Sequence, residues 1–381
     1  MGDLKNLDRV LEGFIEKGPA GGAALRVYKG TEVVYESCFG YADVDSKKPF
    51  RTDTICQIAS MTKVIAVAAA MQLFEKGEFL LTDPVSDYIP SFKDRKVFTM
   101  DARGNILAVP AKKKLTIGHL FDMTSGITIN WDRENPNSKA LSEITRKLQS
   151  EGRYTLTDYA IEAGKVPGAF EAGEHYFYGQ SHDILAAVLE IITGKTFGQY
   201  LKENIFDPLG MCDTFFFPPE EKKGRIAVMY RLQDGKRIPV SLPPIFDTTT
   251  FESACGGLYS TLEDYSRFAL AMTLGEKSKV RILSDNTIRL MAMNRLCPQT
   301  LAEFENPYLS GYGYGLGVRT RMRPEAGSNS SIGEFGWTGG FGTWVLMDPA
   351  KEITIVHMHQ SMPNREEYIH PRIRNIVYSA L

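Results

Sequence analysis

The stretch Ile58-Ala59-Ser60-Met61-Thr62-Lys63 runs without a break into Val64-Ile65-Ala66-Val67-Ala68-Ala69-Ala70-Met71-Gln72-Leu73-Phe74. No polar residue interrupts Val64 to Met71, so the spacing predicts a helix that is buried on all sides, with Ser60 in its first turn. Residues three apart share a helix face, which sets the Lys63 amine over the Ser60 hydroxyl. A serine hydroxyl is a poor nucleophile until a neighbouring base takes its proton. A lysine serves as that base if burial lowers its pKa. The helix start adds unpaired N–H groups and a positive dipole end, both suited to developing negative charge. Alone the pattern is weak, because about one S-x-x-K match is expected by chance in such a chain. An N-cap serine followed by a solvated lysine is the plain alternative.

A chain of 381 residues can bury a large core, and its length suggests two or so domains. A net charge of −2 gives no basic footprint for nucleic acid and no polybasic tract for anionic lipid. The apolar run after Lys63 is too short to span a bilayer. The N-terminus, Met1-Gly2-Asp3-Leu4-Lys5, lacks the basic-then-apolar order of a secretory signal and has no myristoylation pattern. Five scattered cysteines (Cys38, Cys56, Cys212, Cys255, Cys297) with no C-x-x-C pair fit reduced thiols. The expected address is cytoplasmic.

Along the chain, Leu4, Leu7, Leu11, Phe14 and Ile15 stand at helical spacing. Gly22 to Tyr28 and Glu32 to Phe39 read as strands joined by a Lys29-Gly30-Thr31 turn. The helix led by Ser60 ends near Gly77, and Thr82-Asp83-Pro84 opens a short helical segment that Pro90 stops. Met100 to Lys114 reads as a surface hairpin or loop whose lysine run is a solvated rim. Thr116 caps a short helix to Met123, and helix-prone polar sequence follows from Ser138 to Glu162. Ser181 reads as the cap of a helix over Ile184 to Ile192. Phe215 to Phe251, rich in proline, reads as ordered loops, and Leu262 to Leu274 as a capped helix. Three strands, Tyr312 to Val318, Phe335 to Met347 and Glu352 to Gln360, precede a last helix from Pro371 to Leu381. Strands at both ends and helices between them predict one sheet domain built from 1–60 and 252–381. A mainly helical domain, 61–251, is inserted between its strands, and the active site lies between the two.

Several of these pieces match one family together. The chain resembles the S-x-x-K serine hydrolases: class C β-lactamases, low-molecular-weight penicillin-binding proteins and the β-lactamase-like carboxylesterases. Ser60-Met61-Thr62-Lys63 stands where the family keeps its nucleophile and lysine. Tyr178-Gly179-Gln180 stands where it has Y-x-N, after a Glu171-Ala172-Gly173 turn. Trp337-Thr338-Gly339-Gly340 stands where β-lactamases have K-T-G. Leu120-Phe121-Asp122-Met123-Thr124-Ser125-Gly126 is similar to L-L-x-H-T-S-G, and Pro208 to Met211 and Gly256 to Thr261 match further landmarks. The likeness spans nearly the whole chain. It implies a serine β-lactamase-like α/β fold: an antiparallel sheet flanked by N- and C-terminal helices, with an inserted mainly helical domain.

The resemblance also implies a site. Ser60 would be the nucleophile, Lys63 and Tyr178 would share the general-base work, and the N–H groups of Ser60 and Gly340 would hold the oxyanion. Gln180, Trp337 and Gly339 would contact substrate. Tyr176 is the alternative to Tyr178 as the motif tyrosine. Two departures carry information. Trp337 offers an aromatic face where β-lactamases use a lysine to hold a carboxylate, so that charge contact cannot form. Gln180 is one methylene longer than the family's asparagine. An aromatic at the K-T-G position is similar to the W-x-G of the esterase branch, so ester hydrolysis is favoured. β-Lactam or D-alanyl peptide hydrolysis and acyl transfer to an alcohol are the alternatives, and a catalytically silent ligand-binding member is the non-enzyme one. The substrate is a small ester or amide, with no cofactor. His357 and His359 face one way on a predicted strand, but without a third ligand they read as structural rather than metal-binding. No Ser-His-Asp triad, P-loop or dinucleotide fingerprint is present.

Overall fold

The computed structural model describes residues 3–129, 134–241 and 250–381. Its organising layer is an antiparallel sheet of eight strands: β1 (Gly22–Lys29), β2 (Glu32–Asp43), β3 (Lys48–Pro49), β4 (Tyr312–Tyr314), β5 (Arg319–Arg321), β6 (Phe335–Thr338), β7 (Trp344–Asp348) and β8 (Ile353–His359). Their order is β4-β5-β6-β7-β8-β1-β2-β3. The two ends of the chain therefore meet inside the sheet, where β1 pairs with β8 from Ala23↔His359 to Lys29↔Ile353. Every strand of this sheet comes from 22–49 or 312–359. Helices are the main regular element of the intervening chain, and this is the β-lactamase-like architecture the motifs implied.

Alternation along each strand buries both faces. Leu25, Val27, Trp344, Leu346, Ile353 and Ile355 point to one side. They pack there against helix α1 (Asn6–Lys17), through Leu7, Leu11 and Phe14, and the C-terminal helix Glu366–Ala380, through Ile369, Ile373 and Val377. Ala24, Val345, Met347, Val356 and Met358 point to the other side, into the larger core. At the centre of that core lies α2 (Thr62–Glu75), in which every residue from Thr62 to Met71 is buried. Next in chain order are α3 (Ile117–Phe121), α4 (Pro136–Ser150), α5 (Leu156–Ala163), α6 (Ser181–Thr193) and α7 (Leu262–Leu274). The Glu366–Ala380 helix is α8. Helix α6 packs beside α2, and α7 lies on β7 and β8. Among the described residues no helix is long and apolar enough to cross a membrane.

Where observed elements differ from the sequence expectation, local chemistry explains the shift. Phe335 to Met347 is two strands, because a turn at Gly339–Thr343 separates β6 from β7. Tyr312 to Val318 likewise breaks after Tyr314, where Gly317 takes φ +73°. Ser181 is the first residue of α6 rather than its cap, and its hydroxyl is engaged instead by Ser125 Oγ at 2.7 Å. Helix α8 starts at Glu366, five residues before Pro371, so that proline sits inside the helix. The hairpin expected within Met100 to Lys114 pairs Lys96–Met100 with Ile106–Pro110. Met100, Ile106 and Leu107 are exposed there, so no alternation marks its true start. Within Phe215 to Phe251, Tyr230–Gln233 and Lys236–Pro239 form a second hairpin. Its turn is Asp234-Gly235, both at positive φ, the backbone that such two-residue turns require. Residues 242–249 of that stretch lie outside the described residues.

Leu346 is fully buried between the sheet and α1/α8. Leu346→Ala is expected to lower the unfolding free energy by about 3 kcal/mol in urea titrations. Val33→Ala, at an exposed position of β2, should change it by less than about 0.5 kcal/mol.

Candidate active site

Ser60 does not sit in the α-helix proper. A single 3₁₀ turn, Ala59–Met61, leads into α2 at Thr62. Ala59 takes φ +45°, a left-handed conformation that costs a non-glycine residue about 1–3 kcal/mol. Surrounding bonds hold the turn in that shape. Ile58 N–H donates to Leu258 O at 3.0 Å, Tyr265 Oη to Met61 O at 2.9 Å, and Leu258 N–H to Thr62 Oγ1 at 3.1 Å. From the opposite side Thr343 Oγ1 donates to Ile58 O at 2.9 Å. The serine turn and the β6–β7 turn that carries Gly340 are therefore bonded directly to each other.

Lys63 follows one turn later and is 1% exposed. Its Nζ lies 3.2 Å from Ser60 Oγ, donates to Cys255 O at 2.6 Å, and stands 4.6 Å from the ring centroid of Tyr178. Burial pulls the lysine pKa down, but Tyr178, Cys255 and Asp183 outweigh it and hold Lys63 above the usual lysine value. The sequence made a lowered pKa the condition for lysine as the base, and this environment does the reverse. Two acceptors, Ser60 Oγ and Cys255 O, and the face of the Tyr178 ring meet the ammonium.

Tyr178 is the tyrosine that meets Lys63. Tyr176 turns away and packs edge-on against Phe304 and Tyr314. Trp337 stacks on the Tyr178 ring with centroids 5.5 Å apart, and its Nε1–H donates to Tyr178 Oη at 2.9 Å. Tyr314 braces the far side of Trp337 at 5.1 Å. The Leu120–Gly126 segment grips the approach to Tyr178, since Phe177 N–H donates to Met123 O at 3.0 Å and Gly173 N–H to Thr124 O at 2.9 Å. Met123 itself holds φ +62°.

A cavity of about 220 Å³ is lined by Ser60, Lys63, Tyr178, Gln180 and Gly340, with neither Trp337 nor Gly339 on its wall. Gln180 is buried, and its Oε1 accepts from Tyr159 Oη at 2.9 Å. A Cβ on Gly340 would meet open space. One on Gly339 would fall 2.3 Å from Ile58 O and 2.2 Å from Thr343 Oγ1, so close approach of the two turns requires glycine there. The rest of the wall is largely apolar, including Ile129, Phe341, Met362 and the Tyr154–Phe251 pair stacked at 4.0 Å. Asp183 and Cys255 complete it. Sequence reasoning singled out none of Tyr154, Phe251, Asp183 or Cys255 as a site residue. They lie far apart in the chain or inside an apolar helix, with no spacing of their own to mark them.

His357 and His359 are fully buried. His359 Nε2 meets Asn364 O at 3.0 Å, and a carbonyl only accepts, so that nitrogen carries the hydrogen. His359 Nδ1 then accepts from His357 Nε2–H at 2.9 Å, and both rings are neutral. Burial pushes His359 down to about 4. The pair backs the Gly340 turn, since a Cβ on Gly342 would meet His359 Nε2 at 2.0 Å. Among the described residues no group of three or more histidine, cysteine or acidic side chains is disposed to hold a metal ion.

Comparison with known proteins gives the family and the fold. The family model described as Beta-lactamase matches residues 7–378. Protein Rv1367c of Mycobacterium tuberculosis is 31% identical over 361 residues, covering 92% of this chain and 88% of that protein. Esterase EstB of Burkholderia gladioli is 26% identical over 374 residues, again covering 92% and 88%. Among solved structures, EstCE1, described as a hydrolase with promiscuous acyltransferase activity, superposes with a TM-score of 0.81 at 23% identity, covering 98% of each chain.

The neutral buried histidines predict acid sensitivity. A histidine whose folded pKa lies below its unfolded value contributes stability above pH 6.5, and that contribution is lost as pH falls toward the folded pKa. For His359 the window runs from about pH 6.5 to about pH 4. Urea unfolding at about pH 5 should show a loss of about 2 kcal/mol from this residue relative to pH 7, and His359→Gln should flatten that slope.

Proposed function

This chain belongs to the beta-lactamase family of serine hydrolases, and on that premise we propose that it cleaves a carboxylic ester through an acyl-enzyme on Ser60. The observation that carries the reading is the Lys63 ammonium 3.2 Å from Ser60 Oγ at the edge of a cavity whose wall is largely apolar. Ser60 Oγ attacks the ester carbonyl carbon and its proton leaves along the hydrogen-bonded cluster. Because Lys63 is held charged, the proton is assigned to Tyr178 reacting as its phenolate: the Lys63 ammonium and the Trp337 N–H stabilise the phenolate oxygen, which becomes a phenol as it takes the Ser60 proton. The carbonyl oxygen becomes an oxyanion between the N–H groups of Ser60 and Gly340, donors typically worth about 3 kcal/mol each. The proton then returns to the departing alcohol. Water enters, attacks the acyl carbon, and releases the acid and free Ser60.

Substrate contact divides differently from the sequence expectation. Gln180 borders the cavity and is read as a substrate contact. Trp337 is read as a positioning residue that acts through Tyr178, and Gly339 as the close-packing point between the two turns. The site is proposed to lie between a sheet part (1–60 and 252–381) and a mainly helical part (61–251). The origin of all eight strands at the two chain ends supports this division. A cytoplasmic address is supported by five free cysteines.

Ester substrates are favoured over β-lactams and D-alanyl peptides, whose carboxylate needs a cation. Trp337 supplies none, and its one donor is already engaged by Tyr178. The 26% identity to esterase EstB supports the same choice. Acyl transfer is the second reading, since an alcohol entering in place of water would take the same acyl group.

Steady-state assays test this directly. p-Nitrophenyl acetate should be hydrolysed much faster than nitrocefin, and Ser60→Ala should fall to the buffer rate. Trp337→Phe keeps the aromatic stack and removes the N–H, so kcat should drop by about tenfold with little change in KM. Undiminished turnover by Ser60→Ala would remove the acyl-enzyme from the account.

A further inference from the structure

Asp183 is a buried carboxylate that the reaction as described does not use. It lies in the first turn of α6, is fully shielded from solvent, and borders the catalytic cavity. Its Oδ1 accepts the Cys255 N–H at 3.0 Å and the Ser253 hydroxyl at 3.0 Å, while its Oδ2 has no partner. An unpaired buried carboxylate oxygen is costly, so a fold that keeps one has a use for the charge. That use lies across one residue. Cys255, whose N–H Asp183 holds, presents its carbonyl to Lys63 Nζ at 2.6 Å. Ser253 Oγ also accepts from the Cys255 N–H, at 3.2 Å, which closes a small ring of bonds around this turn.

We infer that Asp183 is a positioning residue of this site: it anchors the Cys255 backbone so that the Cys255 carbonyl holds the Lys63 ammonium against Ser60. The inference rests on the Ser60 acyl-enzyme reading and adds to it the element that holds Lys63 in place, with a smaller contribution to its charge state after those of Tyr178 and Cys255. Lys63 is faced by Ser60 from its own turn, by Tyr178 from the turn before α6, by His182 and Asp183 from the start of α6, and by Cys255 from the turn before α7. His182 is neutral, pushed down to about 3 by burial and the Lys63 charge. The carboxylate in this set is Asp183. Burial holds its own pKa above the usual carboxylate value, and the Cys255 N–H, Lys63 and the Ser253 hydroxyl oppose that rise without cancelling it. Removing its charge takes away an interaction that raises the Lys63 pKa, so Lys63 would shed its proton at lower pH.

The test is Asp183→Asn, which keeps the shape and removes the charge, assayed on p-nitrophenyl acetate from about pH 5 to about pH 10 beside the wild type. The expected result is a fall in kcat on the order of 10- to 100-fold with KM within about threefold. The alkaline limb of the pH profile should also move to lower pH. A role in packing alone would scale the profile without moving that limb. A folded Asp183→Asn protein with wild-type kcat, or with an unmoved alkaline limb, overturns the inference. If Asp183→Asn shows no cooperative melting transition, Ser253→Ala takes its place. It should lower kcat less but move the limb the same way, and an unmoved limb again overturns the inference. Wild-type protein that fails to react with a fluorophosphonate overturns the Ser60 reading and this inference with it. Wild-type labelling beside an indifferent Asp183→Asn overturns this inference alone.

Discussion

A charged amine sealed from water must be given partners, because an isolated ammonium cannot remain ionised in a protein interior. Lys63 is such a group, 1% exposed at the start of a helix with no polar side chain from Val64 to Met71. The Cys255 carbonyl arrives from the turn before α7, the Tyr178 ring from the turn before α6, and Ser60 from its own turn. Each partner is in turn held by something behind it: Cys255 by Asp183, Tyr178 by Trp337, and the Ser60 turn by Thr343. Satisfying one cation thus fixes the relative positions of segments spread over nearly three hundred residues.

The sheet gives those segments a rigid frame. Pairing β8 with β1 brings the chain ends together, and both faces are packed, so the β6–β7 turn has little freedom. Thr343 and Gly339 bring that turn against Ile58, while His359 fills the notch at Gly342. Two short turns from opposite ends of the chain are thereby pressed together at the mouth of the cavity. The strain at Ala59 is tolerable because bonds from α7, from Leu258 and from the β6–β7 turn all converge on the turn that contains it.

Much of this was legible in the sequence where period and motif coincide. The apolar run after Lys63, the β1–β2 hairpin around Gly30 and the capped α7 each carry a local signal strong enough to place them. The Ser60–Lys63 spacing and Tyr178 were legible because helical geometry and motif order pointed to the same residues. What escaped was set by contacts between distant segments. Nothing near Trp337 says that its N–H is directed at Tyr178, and nothing near Asp183 says that it holds Cys255. The charge state of Lys63 was also out of reach, since burial alone argues for a neutral amine and only the surrounding acceptors reverse it. Boundaries moved where a glycine turn broke an expected strand, at Gly339, and where a proline sat inside a helix instead of starting it, at Pro371.

The central claim is that the Ser60 oxygen, set beside Lys63 and Tyr178, is the nucleophile of this protein. Fluorophosphonate labelling followed by peptide mapping by mass spectrometry reads that oxygen most directly. The account predicts a single stoichiometric adduct on Ser60. An adduct on any other residue, or protein recovered unlabelled, would contradict it.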